Sequence, residues 1–209
     1  MSIKVIILGG FLGSGKTSVL IQLAKFLVDF SHGGENKIEV VIIENEIGSV
    51  GVDNLLLDSA ELTVKNLFAG CACCTSSAQL TDSIQAIEKE FNPEWMIIEA
   101  TGLANPVKIK KTVEEELELK VSTIALVDTK RWFRLVAAMA NFVSEQLQDT
   151  IAVLINKIDL VEADDVEKVT ESIRGYNPDA QCYPISAAGE LLNEFWKELL
   201  KRAEIEYGE

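Results

Sequence analysis

A glycine-rich octapeptide, Gly10-Phe11-Leu12-Gly13-Ser14-Gly15-Lys16-Thr17, stands between the apolar run Val5-Ile6-Ile7-Leu8 and a stretch with apolar residues at Val19, Leu20, Leu23, Phe26, Leu27 and Phe30. The run does not alternate, so it reads as a strand covered on both faces. The stretch that follows has the period of a helix. A strand that passes through G-x-x-x-x-G-K-[ST] into a helix is a phosphate cradle. Its glycines let the backbone turn N–H groups toward an anion, and the helix directs the positive end of its dipole there. On this reading Gly10, Gly13, Ser14, Gly15, Lys16, Thr17 and Ser18 form the cradle. Lys16 reaches the β- and γ-phosphates of a nucleotide, and Thr17 gives its hydroxyl to Mg²⁺.

The strand–helix alternation continues along the chain. Strands are expected at 3–8, 37–44, 61–68, 95–98, 121–127, 151–155 and 181–185. Helices are expected at 16–30, 76–91, 105–117, 130–148 (in two pieces), 163–174 and 190–203. This order predicts an α/β fold, a mostly parallel sheet with helices on both faces, in one domain over residues 1–209. Such sheets bind ligands beyond the carboxyl ends of their strands.

Two motifs fall at such ends. Glu99-Ala100-Thr101-Gly102 follows Trp95-Met96-Ile97-Ile98. An acid there orients Mg²⁺ directly or through water, and Gly102 lets a backbone N–H approach the γ-phosphate. Lys16, Thr17 and Glu99 are therefore the candidate catalytic residues, with Thr17 and Glu99 on Mg²⁺; no catalytic base is evident. Asn156-Lys157-Ile158-Asp159 follows the run at 151–155. A carboxylate such as Asp159 accepts from both the ring N–H and the exocyclic amine of guanine, a pair that adenine does not offer. The Lys157 stem can lie along the base, and Ser186 and Ala187 stand where a loop presents backbone N–H groups to the guanine carbonyl. The expected ligand is therefore GTP or GDP. Arg131, Arg134 and Arg174 fall on predicted helices as solvated charges, so no arginine finger is evident and intrinsic hydrolysis is expected to be slow.

Charge and cysteine content narrow the partners. The 19 basic and 33 acidic residues leave a formal charge of −14, which repels nucleic acid and attracts cations. No apolar run is long enough for a bilayer and no export signal is evident, which predicts a cytoplasmic protein. Of the 4 cysteines, Cys71, Cys73 and Cys74 crowd behind Gly70. Three thiolates this close suit Zn²⁺, with Co²⁺ or Ni²⁺ as alternatives, and the fourth ligand is a carboxylate from Glu44 or Glu46, a water or a partner's ligand. A redox pair and simple burial are the other readings of these thiols. Cys182 reads as a core residue, and His32 as a solvent-facing one.

Together these elements resemble the CobW-like P-loop GTPases. The likeness rests on the phosphate loop, Glu44-Asn45-Glu46-Ile47-Gly48, Gly70-Cys71-Ala72-Cys73-Cys74, Glu99-Ala100-Thr101-Gly102-Leu103-Ala104-Asn105-Pro106 and the N-K-x-D run. It implies a fold of the SIMIBI class, shared with nickel-insertion GTPases. It implies GTP hydrolysis coupled to delivery of zinc or cobalt to a client metalloprotein or corrinoid-pathway protein, with a nucleotide-dependent homodimer. Glu46 and Gly48 would lie in a switch segment, with Glu46 a ligand of the zinc or cobalt. The C-terminal domain and the His-rich stretch typical of the family are not expected here. A P-loop small-molecule kinase or synthetase, and a nucleotide-switched thiol sensor, are the competing classes.

Overall fold

The computed structural model describes residues 3–30, 40–44, 62–66, 77–100, 102 and 104–202. The strands are β1 (Lys4–Gly10), β2 (Val40–Glu44), β3 (Leu62–Asn66), β4 (Trp95–Glu99), β5 (Val121–Asp128), β6 (Ala152–Asn156) and β7 (Gln181–Pro184). The helices are α1 (Lys16–Phe30), α2 (Ser77–Phe91), α3 (Pro106–Leu117), α4 (Trp132–Leu147), α5 (Ala163–Tyr176) and α6 (Asn193–Arg202). The strands form one 7-stranded sheet in the order β3-β2-β4-β1-β5-β6-β7. Every pairing is parallel. The expected architecture is thus present, and among the described residues all the paired strands are parallel.

The unbroken apolar runs follow from burial on both faces. Ile6 and Leu8 meet Val19, Leu20, Leu23 and Leu27 of α1, with Trp196 and Leu199 of α6 beside them. Val5 and Ile7 point the other way, toward Ile84 of α2 and Ile109 and Val113 of α3. Farther along that second face, Ala125, Val127, Val153 and Ile155 pack on Trp132 and Val143 of α4 and on Val169 and Ile173 of α5. After β1 the chain therefore passes to one face, and after β4 it passes to the other. The connections after these neighbouring strands thus leave to opposite faces, which is where an open parallel sheet takes its ligand.

Some boundaries differ from the expectation for local reasons. β1 continues to Gly10 because Gly9 and Gly10 keep their register with Ala125 and Leu126. α4 is interrupted at Met139, whose φ of −145° and ψ of 43° are not helical, so the expected two pieces are present. α3 starts sharply because Asn105 Oδ1 accepts the N–H groups of Val107 (3.0 Å) and Lys108 (3.2 Å), and Pro106 occupies the first turn. α6 starts at Asn193 rather than 190, since the Leu191 N–H is held by Gln22 Oε1 at 2.7 Å. Among the described residues no helix is long and apolar enough to cross a membrane.

Candidate nucleotide-binding site

The loop from Gly10 to Thr17 closes between β1 and α1, with the Ser14 N–H on the Phe11 carbonyl at 3.1 Å and the Val19 N–H on the Gly15 carbonyl at 3.1 Å. The second contact opens α1, whose first-turn N–H groups have no carbonyl partner within the helix. Gly15 holds φ at +100°, and a Cβ there would lie 2.3 Å from Asn156 Nδ2, so both conformation and space require glycine. Lys16 is buried, and its ammonium spans the loop to the carbonyls of Gly10 (3.1 Å) and Phe11 (3.4 Å). Ser14 is fully buried, and its hydroxyl has no hydrogen-bond partner among the described residues.

Glu99 ends β4 beside this loop. Its Oε1 lies 3.5 Å from Thr17 Oγ1, so the two candidate Mg²⁺ ligands are adjacent. Both are oxygen donors, the set a magnesium ion takes. Ser18 is exposed on the first turn of α1. Gly102 lies against the loop: a Cβ there would stand 2.7 Å from the Leu12 nitrogen, which only glycine avoids.

The N-K-x-D segment is bonded to the same loop. Asn156 is buried, and its Nδ2 donates to the Ser14 carbonyl at 2.8 Å. Its Oδ1 accepts from the N–H groups of Lys157 (2.8 Å) and Ala187 (2.9 Å). Lys157 adopts a left-handed φ of 67°, and its ammonium donates to the Gly13 carbonyl at 2.6 Å. Asp159 is exposed on the following turn, and Ser186 Oγ donates to its Oδ1. One sequence expectation shifts here. The Ala187 N–H, expected to face a guanine carbonyl, is engaged by Asn156 Oδ1, and Asn156 joins this segment to the phosphate loop.

The structure adds a further pair, Asp128 and Arg131, to the site. Asp128 ends β5, buried, and its Oδ2 accepts from Arg131 Nε and Lys157 Nζ, each at 2.8 Å. Arg131 Nη2 donates in turn to the Leu12 carbonyl at 2.6 Å. The expectation that Arg131 is a solvated helical charge is therefore corrected. It belongs to a 3-10 turn, Thr129–Arg131, capped by Asp128, and its guanidinium is held against the phosphate loop. Burial pushes the Asp128 carboxyl up, but the hydrogen bonds and charges of Lys157 and Arg131 outweigh it and hold the carboxyl below the usual carboxylate range. An acid closing an apolar strand was the available signal, the same one that singled out Glu99. As a result the successive carbonyls of Leu12, Gly13 and Ser14 are drawn to Arg131, Lys157 and Asn156. Gln22 of α1 performs a similar tie, its Nε2 donating to the Gly189 carbonyl at 3.1 Å beyond β7.

Glu46, Cys71, Cys73 and Cys74 lie outside the described residues, as do Gly48 and His32. Among the described residues no group of three His, Cys, Asp or Glu side chains is placed to hold a metal. Cys182 is half-buried in β7 against the α5 side of the core. Burial pushes its thiol up, and the charge of Arg174 offsets this only in part. In a variant with serine at 71, 73 and 74, Cys182 should alkylate several-fold more slowly than free cysteine at pH 8. An equal rate by mass spectrometry would contradict this placement.

A parallel sheet with this loop at the carboxyl end of β1 defines a P-loop nucleotide-binding domain. The family model for the CobW/HypB/UreG nucleotide-binding domain matches residues 4–184, and the chain belongs to that family. It is 31% identical over 196 residues to the zinc chaperone YjiA of Escherichia coli strain K12, covering 88% of this chain and 58% of that protein. It is 24% identical over 220 residues to the zinc-regulated GTPase metalloprotein activator 1 of Dictyostelium discoideum, covering 86% of this chain and 45% of that protein. The chain thus spans about half the length of these curated relatives. The fold is that of the hydrogenase maturation factor HypB from Archaeoglobus fulgidus, with a TM-score of 0.68 at 19% identity over 95% of this chain and 89% of that one. The Zn(II)-bound YjiA GTPase of E. coli superposes with a TM-score of 0.64 at 23% identity over 92% of this chain and 60% of that one.

Proposed function

We propose that this domain binds GTP with Mg²⁺, hydrolyses it to GDP and phosphate, and couples that cycle to binding a transition metal and passing it to a client metalloprotein. The observation that carries the reading is the bonding of the N-K-x-D segment to the phosphate loop through Asn156 and Lys157. This arrangement ties the element that reads a base to the element that grips phosphate. Asp159, exposed beside it and oriented by Ser186, is the acceptor for the guanine N–H pair. The buried Ser14 hydroxyl and the Lys16 ammonium suit a phosphate oxygen. Thr17 and Glu99 would hold Mg²⁺, which supplies charge neutralisation on the β- and γ-phosphate oxygens. The chain's own part in catalysis is positioning: Lys16 and the loop amides stabilise charge, and Gly102 brings the loop after β4 against the γ-phosphate position.

The metal is cargo on this reading. β2 and β3 end in register with Glu99, at Glu44 and Asn66. The sequence after β3 carries Cys71, Cys73 and Cys74, and the sequence after β2 carries Glu46. Thiolates favour zinc over harder cations, and the names of YjiA and the Dictyostelium protein point the same way; cobalt and nickel are tested by the same titration. A γ-phosphate that orders this region would change metal affinity, and linkage makes that coupling reciprocal.

The test follows phosphate release from GTP and ATP with Mg²⁺, with and without Zn²⁺, Co²⁺ or Ni²⁺, in the wild type and in Cys73→Ser/Cys74→Ser. GTP-selective turnover that responds to metal only with the thiols intact is expected. Turnover indifferent to metal and thiols would remove the coupling and leave a GTPase. Preference for ATP would bring forward a small-molecule kinase, and nucleotide binding without turnover a thiol sensor.

A further inference from the structure

Gln146 is a polar side chain in the last turn of α4, between apolar Val143 and Leu147, and is 2% exposed. Its carboxamide uses both ends. The Gly10 N–H donates to Oε1 at 3.0 Å, and Nε2 donates to the Ala104 carbonyl. Strand geometry explains why the first contact exists. The N–H of Lys4 faces the β4 side, donating to the Glu94 carbonyl, and the Leu8 carbonyl on that side accepts from the Ala100 N–H. Alternation puts the Gly10 N–H on the same side. Beyond Ala100, however, the chain leaves the ladder for α3, and a buried N–H left without a partner would be destabilising. The Gln146 carboxamide takes the place of the missing ladder carbonyl. Its other end holds Ala104, just past the Glu99–Gly102 motif. Neighbouring contacts reinforce the join: Asn105 Nδ2 donates to Glu145 Oε2 at 3.2 Å, and a Cβ on Gly9 would meet Pro106 Cγ at 2.8 Å.

We infer that Gln146 is a positioning residue that locks the loop after β4 to the first residue of the phosphate loop, and so sets how well the site distinguishes a nucleoside triphosphate from a diphosphate. The inference rests on the nucleotide reading above. A diphosphate is gripped by the phosphate loop alone. A γ-phosphate also engages the loop that carries Gly102, whose position against Leu12 depends on the Ala104 anchor. Loss of the anchor therefore lowers triphosphate affinity and turnover more than diphosphate affinity.

Two variants test this, with the affinity ratio of a non-hydrolysable GTP analogue to GDP as the readout. Gln146→Met keeps the packing and removes both hydrogen bonds. It should lower the ratio about tenfold, with kcat falling alongside. Gln146→Glu supplies both bonds only when protonated, because a neutral carboxyl has one donor and one acceptor while the carboxylate only accepts. Its ratio should approach the wild-type value near pH 5.5 and fall by pH 8.5, while the wild-type ratio stays flat. A merely structural role predicts no such pH dependence. Folded variants that both keep the wild-type ratio across this range would overturn the inference. Should neither variant fold, hydrogen exchange on the wild type decides. Protection of the Gly10 amide must rise when the triphosphate analogue replaces GDP, and unchanged protection counts against the lock. Failure of the wild type to bind guanine nucleotide would instead remove the nucleotide reading itself.

Discussion

Asp159→Asn is expected to lower GTP affinity by about 100-fold or more and to make XTP the better ligand. Guanine presents two donors on one edge, the ring N–H and the exocyclic amine, and a carboxylate is acceptor-only. Asparagine keeps one acceptor and places an NH₂ group where the second stood, so donor meets donor at the exocyclic amine. A site built on such a bond rejects a mismatched partner strongly, because a buried polar group is left unpaired. Xanthine carries a carbonyl in place of that amine, and the new NH₂ can donate to it. Ser186 Oγ donates to Asp159 Oδ1, so Ser186→Ala should weaken GTP by a smaller factor by loosening the carboxylate. Competition of GTP, XTP and ATP against a fluorescent guanine nucleotide measures all three. If Asp159→Asn binds GTP as the wild type does, Asp159 does not read the base and the selectivity argument fails.

Much of this site was legible because its residues follow buried strands. Lys16 opens α1 in the structure as the periodicity requires, and Glu99 and Asn156 close β4 and β6. Val5-Ile6-Ile7-Leu8 announced a strand buried on both faces because no polar residue interrupts it, and both faces are covered by helices. What stayed hidden depends on contacts between distant segments. Arg131 reads as a surface charge until Asp128 and the Leu12 carbonyl, far earlier in the chain, are brought beside it. Gln146 looks like a polar residue on an amphipathic helix. Its role depends on β1 and β4 diverging at Ala100, which no local pattern records. The Ala187 amide is similar: sequence places it near a base, and the fold spends it on Asn156.

Asp128→Asn is expected to weaken GTP and GDP alike, by about tenfold or more, in contrast to the triphosphate-selective loss at Gln146. The wild-type carboxylate accepts the Arg131 N–H on Oδ1 at 3.2 Å and both side-chain cations on Oδ2. Asparagine puts an NH₂ group at one of those positions, so either the turn loses its cap or Arg131 and Lys157 lose their anchor. Both cations hold loop carbonyls, at Leu12 and Gly13, and their release loosens the part of the loop that every nucleotide shares. Hydrogen bonds to a charged group contribute about 1.5–3 kcal/mol each when buried; Arg131 and Lys157 are partly exposed, so the lower end applies. The pH dependence has a defined sign. The folded carboxyl lies below its unfolded value near 3.9, so its stabilisation is complete above that value and is lost as pH falls through the lower folded one. Wild type should therefore exceed Asp128→Asn in denaturant stability by a constant margin from pH 7 to about pH 5, narrowing below pH 4. A margin that stays constant into acid would show that the charge on Asp128 does not hold the loop, and equal GDP affinity in the two proteins would show that the loop does not need it.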